Sequence, residues 1–183
     1  WLEPSPQCRR AISGFGAPCF SDGTPVCIDR FEGPYAFLSN FSEDVVTLDG
    51  RNYPTVENAF QAAKTLRAKD RQPFEMASAA EAKRMGRQVE LRPDWGEVRV
   101  DVMRRLLECK FACDPRRREL AETGDALLVE GNWWGDRFWG VSGDRGENRL
   151  GRLLMEVRTK ITRGDLRNPV QVDHPFRRKP ITR

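Results

Sequence analysis

Between residues 94 and 113 the apolar side chains Val98, Val102, Met103, Leu106 and Cys113 return at helical intervals, with charged residues filling the positions between them. This spacing predicts a helix with one core-facing stripe, and Asp94 stands where its N-cap belongs. A second helix is expected from the cap Thr55 to about residue 66, and others over 72–77, 79–87, 116–123 and 148–162. Strand-like runs occupy 26–31 and 126–129, and residues 45–48 continue through Asp49-Gly50 to Tyr53 as a hairpin. Residues 1–25, rich in Pro, Gly, Ser and Cys, read as an irregular arm; beyond residue 163, Pro169, Pro175 and Pro180 argue against another long helix. The expected architecture is mainly α, an α+β fold with a minor sheet, in one domain over 26–163 followed by a basic Pro-containing tail over 164–183.

Composition narrows the class. At 183 residues, 39% hydrophobic and 32% charged, the chain is sized for a single globular domain. No apolar run approaches the ~18 residues of a membrane span, and no basic-then-apolar leader opens the sequence. A cytoplasmic protein with no membrane partner is expected. The chain starts at Trp1, as a trimmed chain or a piece of something longer would. Of the net charge of +4, the tail from Gly164 carries +3, through five basic and two acidic residues, which leaves the body little electrostatic footprint of its own.

The five cysteines form an odd set with no CxxC pair, which favours a reduced protein over a disulfide scaffold or a zinc site. Cys109 and Cys113, four apart, are expected as small buried hydrophobes of a helix. The single histidine, His174, lies in the tail. Catalysis in the body therefore has no Ser-His or Cys-His pair to draw on, and proton transfer falls to carboxylates, lysine, tyrosine or water.

On the helix that begins at Thr55, residues Glu57, Gln61 and Lys64 fall within about 60° of one another at about 100° per residue, opposite Ala59, Ala62, Ala63 and Leu66. By itself this is the pattern of a solvated face; a site would need partners from outside the helix. Two loops offer them. Residues 37–41, FLSNF, set a Ser-Asn pair between aromatics, and residues 131–140, GNWWGDRFWG, hold three of the five tryptophans around Asp136 and Arg137. The glycine-rich run from Gly140 to Gly151 opens a helix whose backbone N–H groups suit phosphate or ribose oxygens. It contains neither a P-loop nor a dinucleotide fingerprint.

Taken in order, FLSNF at 37–41, DGRNYPTVENAFQAAK at 49–64, EAKRMGR at 81–87, RPDW at 92–95, VMRRLLECKF at 102–111, LVE at 128–130, GDRFWG at 135–140 and GENRLGRLLMEVR at 146–158 closely resemble the NADAR, or YbiA-like, family. The resemblance spans about 31–161, omitting arm and tail. It implies a compact, mainly helical YbiA-like fold and an N-glycosidase that cleaves a ribose C1′–base nitrogen bond. It implies neither metal nor cofactor. One branch of the family acts on phosphoribosylamino intermediates of riboflavin synthesis, another removes ADP-ribose from guanine in nucleic acid. The second is the expected activity here, with ADP-ribosylated DNA or RNA as partner; a non-catalytic ADP-ribose-binding module is the alternative of another class.

The chemistry calls for carboxylates beside the ribose and a proton donor beside the departing base. Glu57 and Asp136 match the acidic positions of the two most distinctive motifs and are the expected catalytic pair. Lys64 joins them as phosphate ligand, proton donor or Schiff-base nucleophile. Asn40, Gln61 and Asn148 suit ribose hydroxyls and base edges, Lys83 a phosphate, Trp95 and Trp139 a stacked base, and Gly140 a close backbone approach. Glu130 also fits the pattern, on substrate or behind it. Trp133 and Trp134 are expected at a rim or packed beneath it. The chain departs from many members at Asn58, where they carry His, and at Val141-Ser142, where their run is richer in glycine.

Overall fold

The computed structural model describes residues 27–166. The arm and nearly all of the tail, His174 included, lie outside the described residues. The hairpin forms as its sequence demands: β2 (Val46–Leu48) and β3 (Arg51–Tyr53) pair antiparallel with Val46 opposite Tyr53, and Asp49 and Gly50 both take positive φ, 54° and 75°, in the connecting turn. β1 (Cys27–Ile28) runs parallel to β4 (Leu127–Leu128), and β5 (Gly131–Asn132) runs parallel to β6 (Val141–Ser142). Around these three small ladders stand the helices α1 (Val56–Ala62), α2 (Ala68–Arg71), α3 (Ala79–Met85), α4 (Trp95–Lys110), α5 (Arg116–Glu122) and α6 (Arg149–Arg163). Short 3-10 helices occupy Gly33–Leu38 and Gln72–Glu75. The fold is mainly helical with a small amount of sheet.

Helix α1 lies at the centre, packed on α3, α4, the hairpin and the Gln72–Glu75 turn. Thr55 caps it, accepting a hydrogen bond from the Asn58 N–H at 3.1 Å. Every residue of this helix is buried. The solvated polar face expected for it does not exist: α3 covers that side, while Leu66, placed on the apolar side, lies beyond the helix end and is exposed. Asn58, fully buried, donates to the carbonyls of Phe74 (2.9 Å) and Ala77 (2.7 Å). It thereby ties α1 to the segment leading into α3. At the other end of that segment Ser78 and Glu81 close a capping box on α3.

In α4 the predicted stripe is present through Val102, Met103 and Leu106, with Leu107 added, and packs on α1 and α6. Two expectations for it fail. The Asp94 side chain makes no cap bond to the helix and instead receives a bidentate pair from Arg92, at 2.6 and 2.8 Å. Cys113 lies past the helix end and is exposed, and only Cys109 of the pair is even partly buried. Cys27 is disulfide-bonded, so the expectation of wholly reduced cysteines is corrected there. Cysteine usage consequently gives no support to a reducing compartment. No helix among the described residues is long and apolar enough to cross a membrane.

Candidate active site

Glu57 is 6% exposed and accepts a hydrogen bond at 2.8 Å from Gln61 Nε2, one helical turn on. Its own backbone N–H is bonded to Asn40 O at 3.0 Å, so the FLSNF loop seats directly on the start of α1. That loop is held from below by Lys110, whose buried ammonium donates to Ser39 O and to Ser42. Gly86, at the end of α3, lies against Gln61 so closely that a Cβ there would come within 1.9 Å of Gln61 Oε1. Lys64 donates to Gly86 O at 3.2 Å. One glycine thus lets α3 approach α1 until Gln61 and Lys64 are both fixed beside Glu57.

The facing wall is the segment from Glu130 to Asn148. Asn132 clasps it: its side chain donates to the Asp136 and Val141 carbonyls at 2.7 and 3.3 Å and accepts from the Asp136 N–H at 2.9 Å. Asp136 Oδ1 accepts in turn from the N–H groups of Phe138 and Trp139, at 3.0 and 2.9 Å, which fixes the carboxylate on its own turn. Glu130 is set by its neighbours. Its N–H donates to Asn148 Oδ1 at 3.0 Å, its carbonyl accepts from Val141 N at 2.8 Å, and Gly140 leaves it room: a Cβ on Gly140 would meet Glu130 O at 2.2 Å.

Electrostatics joins the two walls. Burial pushes the Glu57 carboxyl up, opposed by its Gln61 hydrogen bond and by the charges of Lys83 and Lys64, and reinforced by Asp136. Burial likewise raises Glu130, to about 7, reinforced by Asp136 and Glu57 and opposed by Lys83. The Lys64 ammonium is driven down by burial, with Glu57 opposing and Arg87 and Lys83 adding to the shift. Three carboxyl groups and two lysines therefore share one electrostatic field. At neutral pH Glu130 is poised between its two protonation states, as a group that gives and takes a proton must be.

The sequence matches the NADAR domain family over residues 28–162. The chain belongs to the NADAR family. The N-glycosidase YbiA of Escherichia coli is 40% identical over 132 residues, 69% of this chain and 82% of that protein. An N-glycosidase of Nostoc punctiforme is 39% identical over 136 residues, covering 70% and 86%. A riboflavin biosynthesis protein of Vibrio vulnificus is 37% identical over 140 residues, but they amount to only 36% of its length. The solution structure of E. coli YbiA superposes with a TM-score of 0.68 at 36% identity, covering 82% of this chain and 91% of that one.

In this NADAR domain the predicted site residues divide by place. Glu57, Gln61, Lys64, Lys83 and Asp136 converge across the two walls. Asn40 borders them, with its Oδ1 buried and lacking any hydrogen-bond partner while its Nδ2 faces Met103 Sδ at 3.7 Å. Gln61 Oε1 is buried and unpaired as well. Trp139 is half-buried and stacks edge-on against Phe60, with ring centroids 5.3 Å apart. Trp95 lies on the same Phe60 at 5.0 Å but is only 8% exposed and belongs to the core.

Asn148 and Gly140 act behind the surface. The Asn148 side chain is buried, with Nδ2 bonded to Leu128 O at 2.8 Å and Oδ1 to Glu130 N. Sequence reasoning left Glu130 undecided and overlooked Gly86 and Asn132. The i,i+2 placement of Glu130 and Asn132 was visible in the sequence, but Glu130 is anchored by Asn148, 18 residues away, and Asn132 closes its loop on Asp136 and Val141, 4 and 9 residues away.

Proposed function

We propose that this NADAR-family N-glycosidase removes ADP-ribose from guanine in nucleic acid. The observation that carries the reading is the convergence of Glu57, Glu130 and Asp136 with Lys64 and Lys83 in one partly desolvated site. Breaking the C1′–N bond leaves the electron pair on the base nitrogen and positive charge on the ribose. Asp136, locked by two backbone N–H groups, presents a carboxylate for that charge. The protonated form of Glu130 or Glu57 supplies the proton that the departing nitrogen takes up, and water adds at C1′ with loss of its own proton to the same pair. Lys83, and Arg87 beside Lys64, are in no ion pair among the described residues and suit the diphosphate.

A phosphoribosylaminopyrimidine is the competing substrate, favoured by the relatives that bear riboflavin biosynthesis names. Both substrates presented side by side decide between them: release of free ADP-ribose from ADP-ribosylguanine supports the first reading, and release of the pyrimidine alone overturns it. Glu57→Gln and Asp136→Asn are each expected to lower turnover by about 100-fold or more while the fold is retained. Tight ADP-ribose binding with no product from the unaltered protein would favour the binding module.

A further inference from the structure

Trp133 is 89% exposed and Trp134 51%, at the tip of the loop that Asn132 closes. Their rings stand at 84° with centroids 5.8 Å apart. The clasp that fixes Asp136 spans residues 132 to 136, and Gly135 at φ 87° completes the short turn that carries both indoles. Across from them Phe41, 41% exposed, projects from the FLSNF loop. The Lys83 ammonium lies 5.4 Å from both the Trp134 and the Phe41 ring centroids, which joins the two loops into one rim. Lys83 is also within electrostatic reach of Glu57 and Glu130, so this rim borders the carboxylates directly. Two adjacent exposed indoles and a phenyl ring around a lysine that is in no close ion pair among the described residues are a costly combination to leave in water unless something flat and anionic covers it.

We propose that Trp133, Trp134 and Phe41 form a stacking platform for unpaired bases flanking the modified nucleotide, with Lys83 standing between the platform and the diphosphate. Alternating aromatic faces and cations bind single strands with little regard to sequence, because every base has a π-face. A base joined to ADP-ribose must in any case be reached outside a duplex. The inference rests on the nucleic-acid reading of the substrate given above, and its test separates the two.

Binding of a fluorescently labelled, unmodified oligothymidylate of about 12 nucleotides, within the usual span of single-strand sites, is followed by anisotropy at low salt. Trp133→Ala/Trp134→Ala is expected to weaken it about tenfold or more, and Trp133→Phe/Trp134→Phe to keep most of it. Hydrolysis of monomeric ADP-ribosylguanosine by the alanine variant stays unchanged, which also shows that it folds; Trp133→Ala alone, at the most exposed position, replaces it if the pair does not fold. Undetectable oligonucleotide binding by the unaltered protein, or equal binding by the alanine variant, overturns the platform. So does a dimer of the unaltered protein that the alanine variant abolishes, since a second copy is then the occupant. Retained aromatic-dependent binding in a protein inactive on ADP-ribosylguanine overturns the proposed activity and leaves the platform standing.

Discussion

A carboxyl group that burial holds at about 7 is a liability to the fold whenever it is ionised, and Glu130 is such a group. The sign follows from linkage. Between the ordinary glutamate value of 4.5 and about 7, the folded chain holds a proton at Glu130 that the unfolded chain has released, so stability falls as pH rises across that window. Glu57, raised in the same direction, adds to the slope. Glu130→Gln removes the titration and is expected to be more stable than the unaltered chain at pH 8, by of order 3 kcal/mol at most, with the difference vanishing near pH 5. Urea midpoints measured at both pH values check it. The activity of the same variant is expected to fall and to lose its pH dependence near neutrality. At Lys64 the displaced pKa favours a free amine at lower pH than usual, as a Schiff-base nucleophile requires. If it attacks the opened sugar, cyanoborohydride added during turnover gives a ribosyl adduct that peptide mass spectrometry assigns to Lys64; turnover that is insensitive to cyanoborohydride leaves phosphate binding or proton donation.

At the scale of elements, the sequence disclosed what neighbours along the chain decide and hid what distant segments decide. The Thr55 cap, the Asp49-Gly50 turn and the stripe on α4 are local and were legible. The polar face of α1 was misread because helical geometry gives the relative directions of Glu57, Gln61 and Lys64 but not what covers them, and α3 covers them. The same blindness hid Gly86, an unremarkable letter in EAKRMGR until α3 is laid on α1. Gly86→Ala places its Cβ 1.9 Å from Gln61 Oε1 and 2.9 Å from Gln61 Cβ, so α3 must retreat or Gln61 must turn away from Glu57. The expected cost is about 1 to 3 kcal/mol of stability, with a fall in kcat larger than the fraction unfolded explains. Gln61→Ala in the Gly86→Ala background removes the contact with the amide and leaves only the one at Cβ, and should restore part of the stability without the activity. Thermal unfolding and steady-state kinetics on the three variants distinguish steric crowding from a general loosening of α3.

At the scale of the whole molecule, the second wall of the site is held in place by the docking of α6, the last helix among the described residues. Residues 128–130 and 146–158 were legible as parts of one pattern, yet nothing local says that Asn148, at φ 49°, turns its amide back to hold Leu128 O and the Glu130 N–H. Gly151 makes this possible. Helix α6 lies so near β4 that a Cβ on Gly151 would stand 2.1 Å from Leu128 O and within 2.7 Å of both polar atoms of the Asn148 side chain. Backbone cannot yield as a side-chain tip can, so Gly151→Ala must lift the first turn of α6 and break one or both Asn148 bonds. Overpacking at about 1 to 3 kcal/mol and a lost buried hydrogen bond at about 1 kcal/mol place the expected destabilisation at about 2 to 4 kcal/mol, a large share of the roughly 5 to 15 kcal/mol that holds a domain folded. The urea midpoint should drop with the slope unchanged. Because Glu130 loses its anchor, turnover should fall even under conditions where the variant is fully folded, while Glu57 on α1 and Lys64 just past its end keep their places. Unchanged stability would mean that α6 slides at no cost. Unchanged turnover in a destabilised variant would mean that Glu130 is positioned by β6 and Gly140 alone.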